Sequence, residues 1–327
     1  MNRMISTDAA AELIRSGAAL SVAGVEAALD RLPAGNWIGG TSPYFMVASG
    51  GTVVDDSKVF VTELSGIGQV SVASYGADEL AGICGDAPEN GFAVTIIPFG
   101  GACHQRFALD AASFPNAFLR PTVGWIAGVH LSEIGKTAPL VYDGRTAAKF
   151  RDRAVVAHVA LPEDRLVSVE IVNLFEPDDG DILRFTEASF EIGTCEVNGK
   201  TVNFADYVAA RGLEHGQQPL VGDFAGAHLN VSLQSLDNTA HRAALYAPVF
   251  PGVDYRFAKS VGDYAAVFRT RLTEQDTQGA VMACNCILNF VFGELEGKAI
   301  GGIEGPITFG EIAYQLLNQT AVIVRIL

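Results

Sequence analysis

From residue 37 onward, short runs of β-branched and aromatic residues alternate with glycine-containing turns. The segments KVFVTEL, QVSVASY and GFAVTIIP show this pattern. Valine, isoleucine, phenylalanine and tyrosine are enriched in β-strands, and clusters of Gly, Asp and Ser mark the turns between them. The pattern continues as far as TAVIVRIL, so the sequence predicts a protein rich in short strands.

Helical spacing occurs in fewer places. TDAAAELIR predicts a helix with Thr7 as its N-cap, and residues 21–32 predict a second helix, capped by Ser21, with apolar residues three or four positions apart. NFADYVAARGL and DYAAVFRTRLTEQ predict two further helices. The segment GFAVTIIPFGG predicts a buried strand that runs into a Gly-Gly loop carrying Cys103 and His104.

The order of these elements predicts the α/β class, in the mixed α+β sense, with two similar sheet-containing halves flanked by helices. After the acidic turn EPDDGD the pattern restarts with a hairpin, whose predicted turn is Asn198-Gly199. We therefore predict two domains, residues 1–188 and residues 189–327, with a ligand pocket between them. A chain of 327 residues is long enough for two such units.

Charge and hydropathy exclude several classes of partner. The formal net charge is −15, and no run of Lys or Arg offsets it, so nucleic acid is not an expected partner. No uninterrupted apolar run reaches the roughly 18 residues of a membrane span, and the first 20 residues lack a secretory apolar core. We expect a cytoplasmic protein that does not bind membranes, with five scattered, reduced cysteines.

The segment LPAGNWIGGTSPYF resembles a signature of the FIST family, a bacterial sensory domain with an N-terminal and a C-terminal portion. That family has a turn similar to Ile-Gly-Cys-Ser-Thr-x-Gly-Glu. Here Gly39 keeps the turn glycine, Gly40 stands in place of the cysteine, and Thr41 and Ser42 keep the hydroxyls. Tyr44 falls where the family has its Gly-Glu pair.

The resemblance continues in order along the chain. PTVGWIAGVHL looks like a Val-Gly-Gly-x-Ala-Gly segment, with Trp125 replacing a glycine. FEIGTCEVNGKTVNFADYVAARGL resembles the start of the C-terminal portion. Near the end, Gly310-Glu311-Ile312 and Leu317-Asn318-x-Thr320 align with a Gly-Glu-Ile and a Leu-His-Asn-x-Thr. The chain is thus similar to a divergent, stand-alone FIST protein.

This resemblance implies signal transduction through a small bound molecule, such as an amino acid or a similar polar metabolite. No kinase, cyclase or receptor segment remains in the 327 residues, so the implied output passes in trans to a separate signalling protein of kinase or cyclase type. We expect ligand capture between Glu311 and the turn Gly39, Gly40, Thr41 and Ser42. Buried Glu311 would pair with an ammonium group, and the turn amides would bind an anion.

Tyr44 and Trp125 are the expected aromatic wall of this site, and Asn318 is the amide expected to reach the ligand. The alternative is structural: Glu311 accepts backbone hydrogen bonds, and Asn318 bonds to neighbouring backbone. The sequence leaves both roles open for each residue.

Two other functions remain compatible with the sequence. A haem-binding nitric oxide sensor, as in one branch of the FIST family, would use His104 or His130 as its iron or metal ligand. An enzyme would use a cysteine, Cys103 or Cys284, or a glutamate in the same pocket. No catalytic constellation is visible, so we predict neither catalytic residues nor a cofactor, with haem as the only cofactor alternative.

Overall fold

A computed structural model describes residues 2–275, 279–299 and 301–327. It has 18 % helix and 43 % strand, which confirms the predicted mixed α/β class. Within these residues, every helix falls short of the length and apolar character needed to cross a membrane.

The strands of the first part of the chain come mostly from the predicted apolar runs. They are β1 (Asn2–Ser6), β2 (Leu20–Gly24), β3 (Trp37–Thr41), β4 (Tyr44–Val47), β5 (Gly50–Val53), β6 (Lys58–Glu63), β7 (Gln69–Tyr75), β8 (Gly91–Pro98), β9 (Thr122–Ala127), β10 (Val141–Asp143), β11 (Ala148–Phe150), β12 (Ala154–Ala160) and β13 (Val167–Asn173).

The strands of the second part follow the acidic turn. They are β14 (Leu183–Arg184), β15 (Ser189–Ile192), β16 (Thr194–Val197), β17 (Lys200–Asn203), β18 (Leu220–Phe224), β19 (Ala227–Val231), β20 (Leu233–Asp237), β21 (Arg242–Val249), β22 (Asp254–Phe257), β23 (Ala280–Cys286), β24 (Gly305–Thr308), β25 (Glu311–Ala313), β26 (Gln315–Leu317) and β27 (Thr320–Ile326).

The α-helices are short, and several begin at a side-chain cap. They are α1 (Thr7–Arg15), α2 (Glu26–Leu29), α3 (Gly82–Gly85), α4 (Ala102–Asp110), α5 (Phe204–Ala210), α6 (Tyr264–Thr273) and α7 (Ile287–Phe292). The hydroxyl of Ser6 caps α1 by accepting from the Ala9 amide, so the N-cap is one residue earlier than predicted.

The strands form five sheets. Their strand orders are β1-β6-β2-β3-β10-β11 for sheet I, β26-β25-β9-β8-β12-β7 for sheet II, β13-β27-β23-β24-β4-β5 for sheet III, β17-β16-β14-β22-β18-β19 for sheet IV and β15-β21-β20 for sheet V. The pairs β2–β3, β8–β9 and β23–β24 are parallel. Sheets IV and V lie wholly between residues 183 and 257.

Sheets II and III join strands from both ends of the chain. Strand β25 pairs with β9, with Glu311 opposite Trp125, and β27 pairs with β13. The predicted boundary after residue 188 falls between β14 and β15, just ahead of sheet V. Strands on both sides of this boundary therefore share sheets, and the division into domains 1–188 and 189–327 stays a prediction.

One core cluster joins residues of sheets I, II and III. Ile38 of sheet I, Trp125 of sheet II and Val322 of sheet III belong to one cluster and are each at most 1 % exposed. The alternate side chains of sheet II, such as Ala93, Ile126 and Val156, belong to a larger cluster that includes Phe107 of α4, so sheet II is apolar on both faces.

Two local predictions had different outcomes. The predicted helix over 21–32 is wrong, because Leu20–Gly24 is strand β2 and only Glu26–Leu29 is helical. All five residues of β2 are buried, and a fully buried strand has no alternation to distinguish it from a helix. The hairpin is confirmed: Asn198 and Gly199 have φ of 48° and 79° and join β16 to β17, as the favoured two-residue turn requires.

Candidate functional site

A cavity of about 200 Å³ lies where three strands end. Strand β2 ends at Gly24, β3 at Thr41 and β9 at Ala127, and the residues that follow each strand form the walls. The lining residues are Val25, Glu26, Thr41, Ser42, Pro43, Gly128, Val129, His130, Glu133, Thr137 and Ala138. The carboxyl ends of parallel strands are a common place for ligands in α/β folds.

The predicted turn at Gly39–Ser42 is mostly strand. Gly39, Gly40 and Thr41 belong to β3, which lies between β2 and β10 in sheet I. The Thr41 amide donates to the Leu140 carbonyl (2.9 Å), and the Ser42 amide donates to the Gly24 carbonyl (3.0 Å). The expectation that these amides bind an anion is therefore wrong for this conformation, since they are already hydrogen-bonded.

The hydroxyls of Thr41 and Ser42 are also engaged. Thr41 Oγ1 accepts from the Leu140 amide (3.0 Å), and Ser42 Oγ donates to the Ile307 carbonyl (2.6 Å). Both side chains line the cavity, so they shape its wall while holding loops of sheets I and III in place.

The groups that can bind a ligand come from residues after the strands. Glu26 Oε1, at the start of α2, accepts from Lys149 Nζ (2.7 Å), and Glu133 Oε1 lies 3.9 Å from Lys136 Nζ. His130 Nδ1 accepts from the Ser132 amide (3.3 Å) and lies 2.8 Å from Ser132 Oγ, so these contacts involve Nδ1 and not Nε2. Glu26, His130 and Glu133 are thus the ionisable residues among those that line this mainly apolar cavity.

The ring of Tyr44 packs against the imidazole of His130. The two rings stack with centroids 5.4 Å apart, and Tyr44 Oη accepts from the Leu131 amide (3.0 Å). Burial raises the pKa of Tyr44, so the phenol stays neutral. The predicted aromatic residue thus lies beside the cavity and fixes the position of its histidine.

Trp125 is in the core and does not line this cavity. It is 1 % exposed, and its ring lies directly against Gly40. A Cβ placed at Gly40 would lie 2.7 Å from Trp125 Cη2 and 2.6 Å from Ile96 Cγ2, both far inside van der Waals contact. Gly40 and Trp125 therefore fit each other: the indole fills the space that a side chain at position 40 would need.

Glu311 is the first residue of β25 and is fully buried. Thr308 Oγ1 donates to Oε1 (3.2 Å), while the Thr320 amide (3.3 Å) and hydroxyl (2.8 Å) donate to Oε2. Burial nevertheless raises the pKa of Glu311 to about 8, so the carboxyl holds its proton at neutral pH. A neutral carboxyl needs no cationic partner, and Glu311 is not among the residues that line the cavity at the strand ends.

Asn318 connects the end of the chain to sheet IV. Its Nδ2 donates to the Asn230 carbonyl (3.0 Å), and its Oδ1 accepts from the Ser232 amide (2.9 Å). Asn318 is 2 % exposed. These bonds to backbone correspond to the structural alternative for Asn318, and they hold β26 and β27 against the segment between β19 and β20.

The predicted Gly-Gly loop is present at residues 99–101, but Cys103 and His104 lie in helix α4 and not in that loop. The helix begins there because Asp152 Oδ1 accepts from the Cys103 amide (2.7 Å) and so caps it from another segment. The imidazole is 3 % exposed, its Nε2 has no hydrogen-bond partner among the residues that the structure describes, and burial lowers the pKa of His104 to about 4. It borders a crevice of about 230 Å³ between α4 and sheet V.

Haem does not fit beside His104 in this conformation. The crevice beside His104 is smaller than the roughly 300–1,000 Å³ of ordinary ligand pockets, and haem is a large ligand. Phe99 and Phe190 also pack against the imidazole, with ring centroids at 5.1 and 5.8 Å. His130 is solvent-exposed and stacked on Tyr44.

The five cysteines are buried and reduced. Burial raises the pKa of Cys103 to about 11, with the Asp152 carboxylate adding to the shift. Burial also raises the pKa of Cys284 and Cys286 well above the usual range, with Glu311 nearby. Thiols in this state are poor nucleophiles, because the thiolate is the reactive form. The geometry therefore does not favour the cysteine-based enzyme.

Sequence reasoning found Thr41, Ser42, Tyr44 and His130 near the cavity but missed Glu26 and Glu133. Both glutamates lie shortly after strands, Glu26 two residues after β2 and Glu133 six residues after β9. Their positions shortly after predicted strands were the signal in the sequence that could have identified them. The misassigned helix over 21–32 concealed it for Glu26.

Within the described ranges, no three His, Cys, Asp or Glu side chains come close enough to hold a metal ion. A search of curated proteins gave no match. One family model matches residues 5–327, and its description is "Family of unknown function (DUF6976)". Because this match spans nearly the whole chain, the protein belongs to the DUF6976 family.

Proposed function

We propose that this protein is a small-molecule sensor that binds an amino acid or a similar small amine in the cavity at the ends of β2, β3 and β9. The observation that carries the proposal is the convergence of three strand ends on one cavity bordered by Glu26, His130 and Glu133. The FIST-like order of motifs supports the sensory role.

The size of the cavity suits a small metabolite. About 200 Å³ equals the liquid volume of six or seven water molecules at ~30 Å³ each, enough for a small amino acid. Val25, Pro43, Val129 and Ala138 provide apolar contacts for a side chain. A larger ligand such as a nucleotide would exceed this space.

The polar groups complement a zwitterion. The carboxylates of Glu26 and Glu133 can accept from an ammonium group, and His130 Nε2 can donate to a carboxylate. The net charge of −15 raises the local concentration of cationic groups around the molecule. An amine is therefore favoured over an anionic ligand.

The proposal includes signalling in trans, through a separate protein. A bound ligand would order residues 128–138, of which 130–138 lie on the surface, and so change a surface that a separate protein of kinase or cyclase type contacts. The predicted cytoplasmic location is consistent with this role.

Filling the cavity should abolish ligand-induced stabilisation. Ala138 lines the cavity and is exposed, so Ala138→Phe places a ring in the opening at little cost to the fold. We expect at least one amino acid or amine from a panel to raise the Tm of the wild-type protein by several degrees, because a ligand at 100 times its Kd adds about 2.7 kcal/mol. The variant should show no rise.

The matched control is Ala240→Phe, at an exposed alanine in the turn between β20 and β21. This variant should keep the full rise in Tm with the active amine. Analogues of that amine without the amino group should not raise the Tm. An equal response in Ala138→Phe and Ala240→Phe, or no response to any amine, would refute the proposal.

A further inference from the structure

A groove of about 720 Å³, with apolar and charged residues in its lining, also borders His130. It is lined by Tyr44, Val53, His130, Leu131, Phe290, Val291, Glu294, Glu296 and Lys298. Tyr44 and Phe290 form its floor, with ring centroids 5.5 Å apart. His130 borders both spaces, so the groove and the cavity share one wall.

Three large apolar side chains are exposed along this groove. Val53 is 37 % exposed, Leu131 38 % and Val291 42 %, and they come from β5, the loop after β9 and α7. Single exposed apolar residues are ordinary, but residues from three distant segments that gather around an aromatic floor form a contiguous patch. Such patches mark surfaces that contact another protein.

The rim of the groove is acidic. Glu294 pairs with Lys298 (3.4 Å), whereas no side-chain partner of the exposed Glu296 carboxylate is found in the described part of the chain. Glu296 lies close enough to Tyr44 for its charge to contribute to the raised pKa of that phenol, so it faces the floor. With a net charge of −15 around it, the rim favours a basic group.

We propose that this groove binds an apolar segment of a partner protein that carries a Lys or Arg beside its apolar side chains. The apolar side chains would cover Val53, Leu131 and Val291, and the basic group would pair with Glu296. The inference rests on the proposed sensory role for its biological meaning, since the groove would be the output surface. It does not depend on the amine, because the cavity and the groove are separate spaces.

The test uses two fluorescein-labelled helical peptides of Ala and Gln with leucines at positions i, i+4 and i+7. One carries a single Lys beside the leucines, and its twin carries Glu there. Fluorescence anisotropy without any amine measures their binding to wild type, Leu131→Ser, Val291→Ser and Glu296→Gln. Leu166→Ser and Glu163→Gln are matched controls, because Leu166 is 63 % exposed in the loop between β12 and β13 and Glu163 is exposed in the same loop.

We expect the Lys peptide to bind wild type and both controls alike. Leu131→Ser and Val291→Ser should each weaken binding about tenfold, and Glu296→Gln about fivefold, while the Glu twin binds weakly to all. No binding of the Lys peptide at millimolar concentration, equal binding by all variants, or preference for the Glu twin would overturn the proposal. A wild-type dimer that Leu131→Ser dissociates would assign the groove to a second copy and also overturn it.

The ligand proposal and the partner proposal can be tested independently of each other. Ala138→Phe should still bind the Lys peptide, because its added ring lies in the cavity and not in the groove. If the protein binds the Lys peptide but responds to no amine, the partner proposal stands and the ligand proposal is wrong. If it responds to an amine but does not bind the peptide, only the partner proposal is wrong.

Discussion

Replacing Glu311 by Gln should remove a pH dependence of stability that the wild-type protein shows between about pH 5 and pH 8. Burial raises the pKa of Glu311 to about 8 in the folded protein, against an ordinary value of 4.5. Between these values the folded protein holds a proton that the unfolded chain has lost. The free energy of unfolding therefore decreases as pH rises, by up to about 1.4 kcal/mol per pH unit, and levels off above the folded pKa.

Glutamine is the appropriate neutral replacement at this position. Its oxygen can accept from Thr320, and its nitrogen can donate to Thr308 Oγ1, because that hydroxyl can direct its own hydrogen to the Asn285 carbonyl (3.3 Å). Glu311→Ala instead removes these partners and leaves a cavity, so we expect a loss of about 3–5 kcal/mol.

Urea denaturation of wild type, Glu311→Gln and Glu311→Ala at pH 5 to 9 measures both effects. The wild-type free energy of unfolding should fall relative to that of Glu311→Gln by several kcal/mol across this range. Subtracting the Gln variant removes the contribution of the other titrating groups. Parallel curves for the two proteins would show that Glu311 does not bind its proton in the folded state.

Gly40 and Trp125 should behave as a coupled pair. Trp125→Ala removes a fully buried indole and should cost about 3–5 kcal/mol. Gly40→Ala places a methyl group 2.7 Å from the same ring and 2.6 Å from Ile96 and should cost about 1–3 kcal/mol by overpacking. The double variant should cost at least 1 kcal/mol less than the sum, because each change relieves the other.

Urea denaturation of the four proteins in this cycle gives the coupling energy. The control cycle combines Gly40→Ala with Val231→Ala, a buried residue in the separate cluster around sheets IV and V. That pair should be additive within about 0.5 kcal/mol. Additive costs for Gly40 and Trp125 would mean that the indole moves away from the added methyl group, and the proposed complementarity would be wrong.

Elements with a local signal could be predicted from the sequence. The alternating strands β6 and β7, the helix α1 and the Asn198-Gly199 hairpin each carry their own pattern of side chains and turn residues. Strand β2 is fully buried like β8, but it lacks the longer β-branched run of β8, and its Val22 is in helical spacing with Val25 and Leu29. Helix α4 depends on a cap from Asp152, some 50 residues away, so the local Gly-Gly signal indicated a loop instead.

The contacts in the candidate site also could not be predicted from local sequence patterns. The sequence identified Glu311 as a carboxyl in an apolar segment, but its partners Thr308 and Thr320 became evident only once β24, β25 and β27 were placed. Ser42 is linked to the same region, since its hydroxyl donates to Ile307 beside Thr308. Glu26 and Glu133 meet at one cavity because β2 and β9 end side by side in different sheets, a relation that no local pattern encodes.

Hydrogen exchange with mass spectrometry, in saturating amounts of the amine that raises the Tm most, tests the ligand site most directly. We expect slower exchange in residues 24–30 and 128–138, which border the cavity, and no change in residues 99–105 and 234–246 around His104. Protection confined to the crevice beside His104, with none at the ends of β2, β3 and β9, would contradict this expectation.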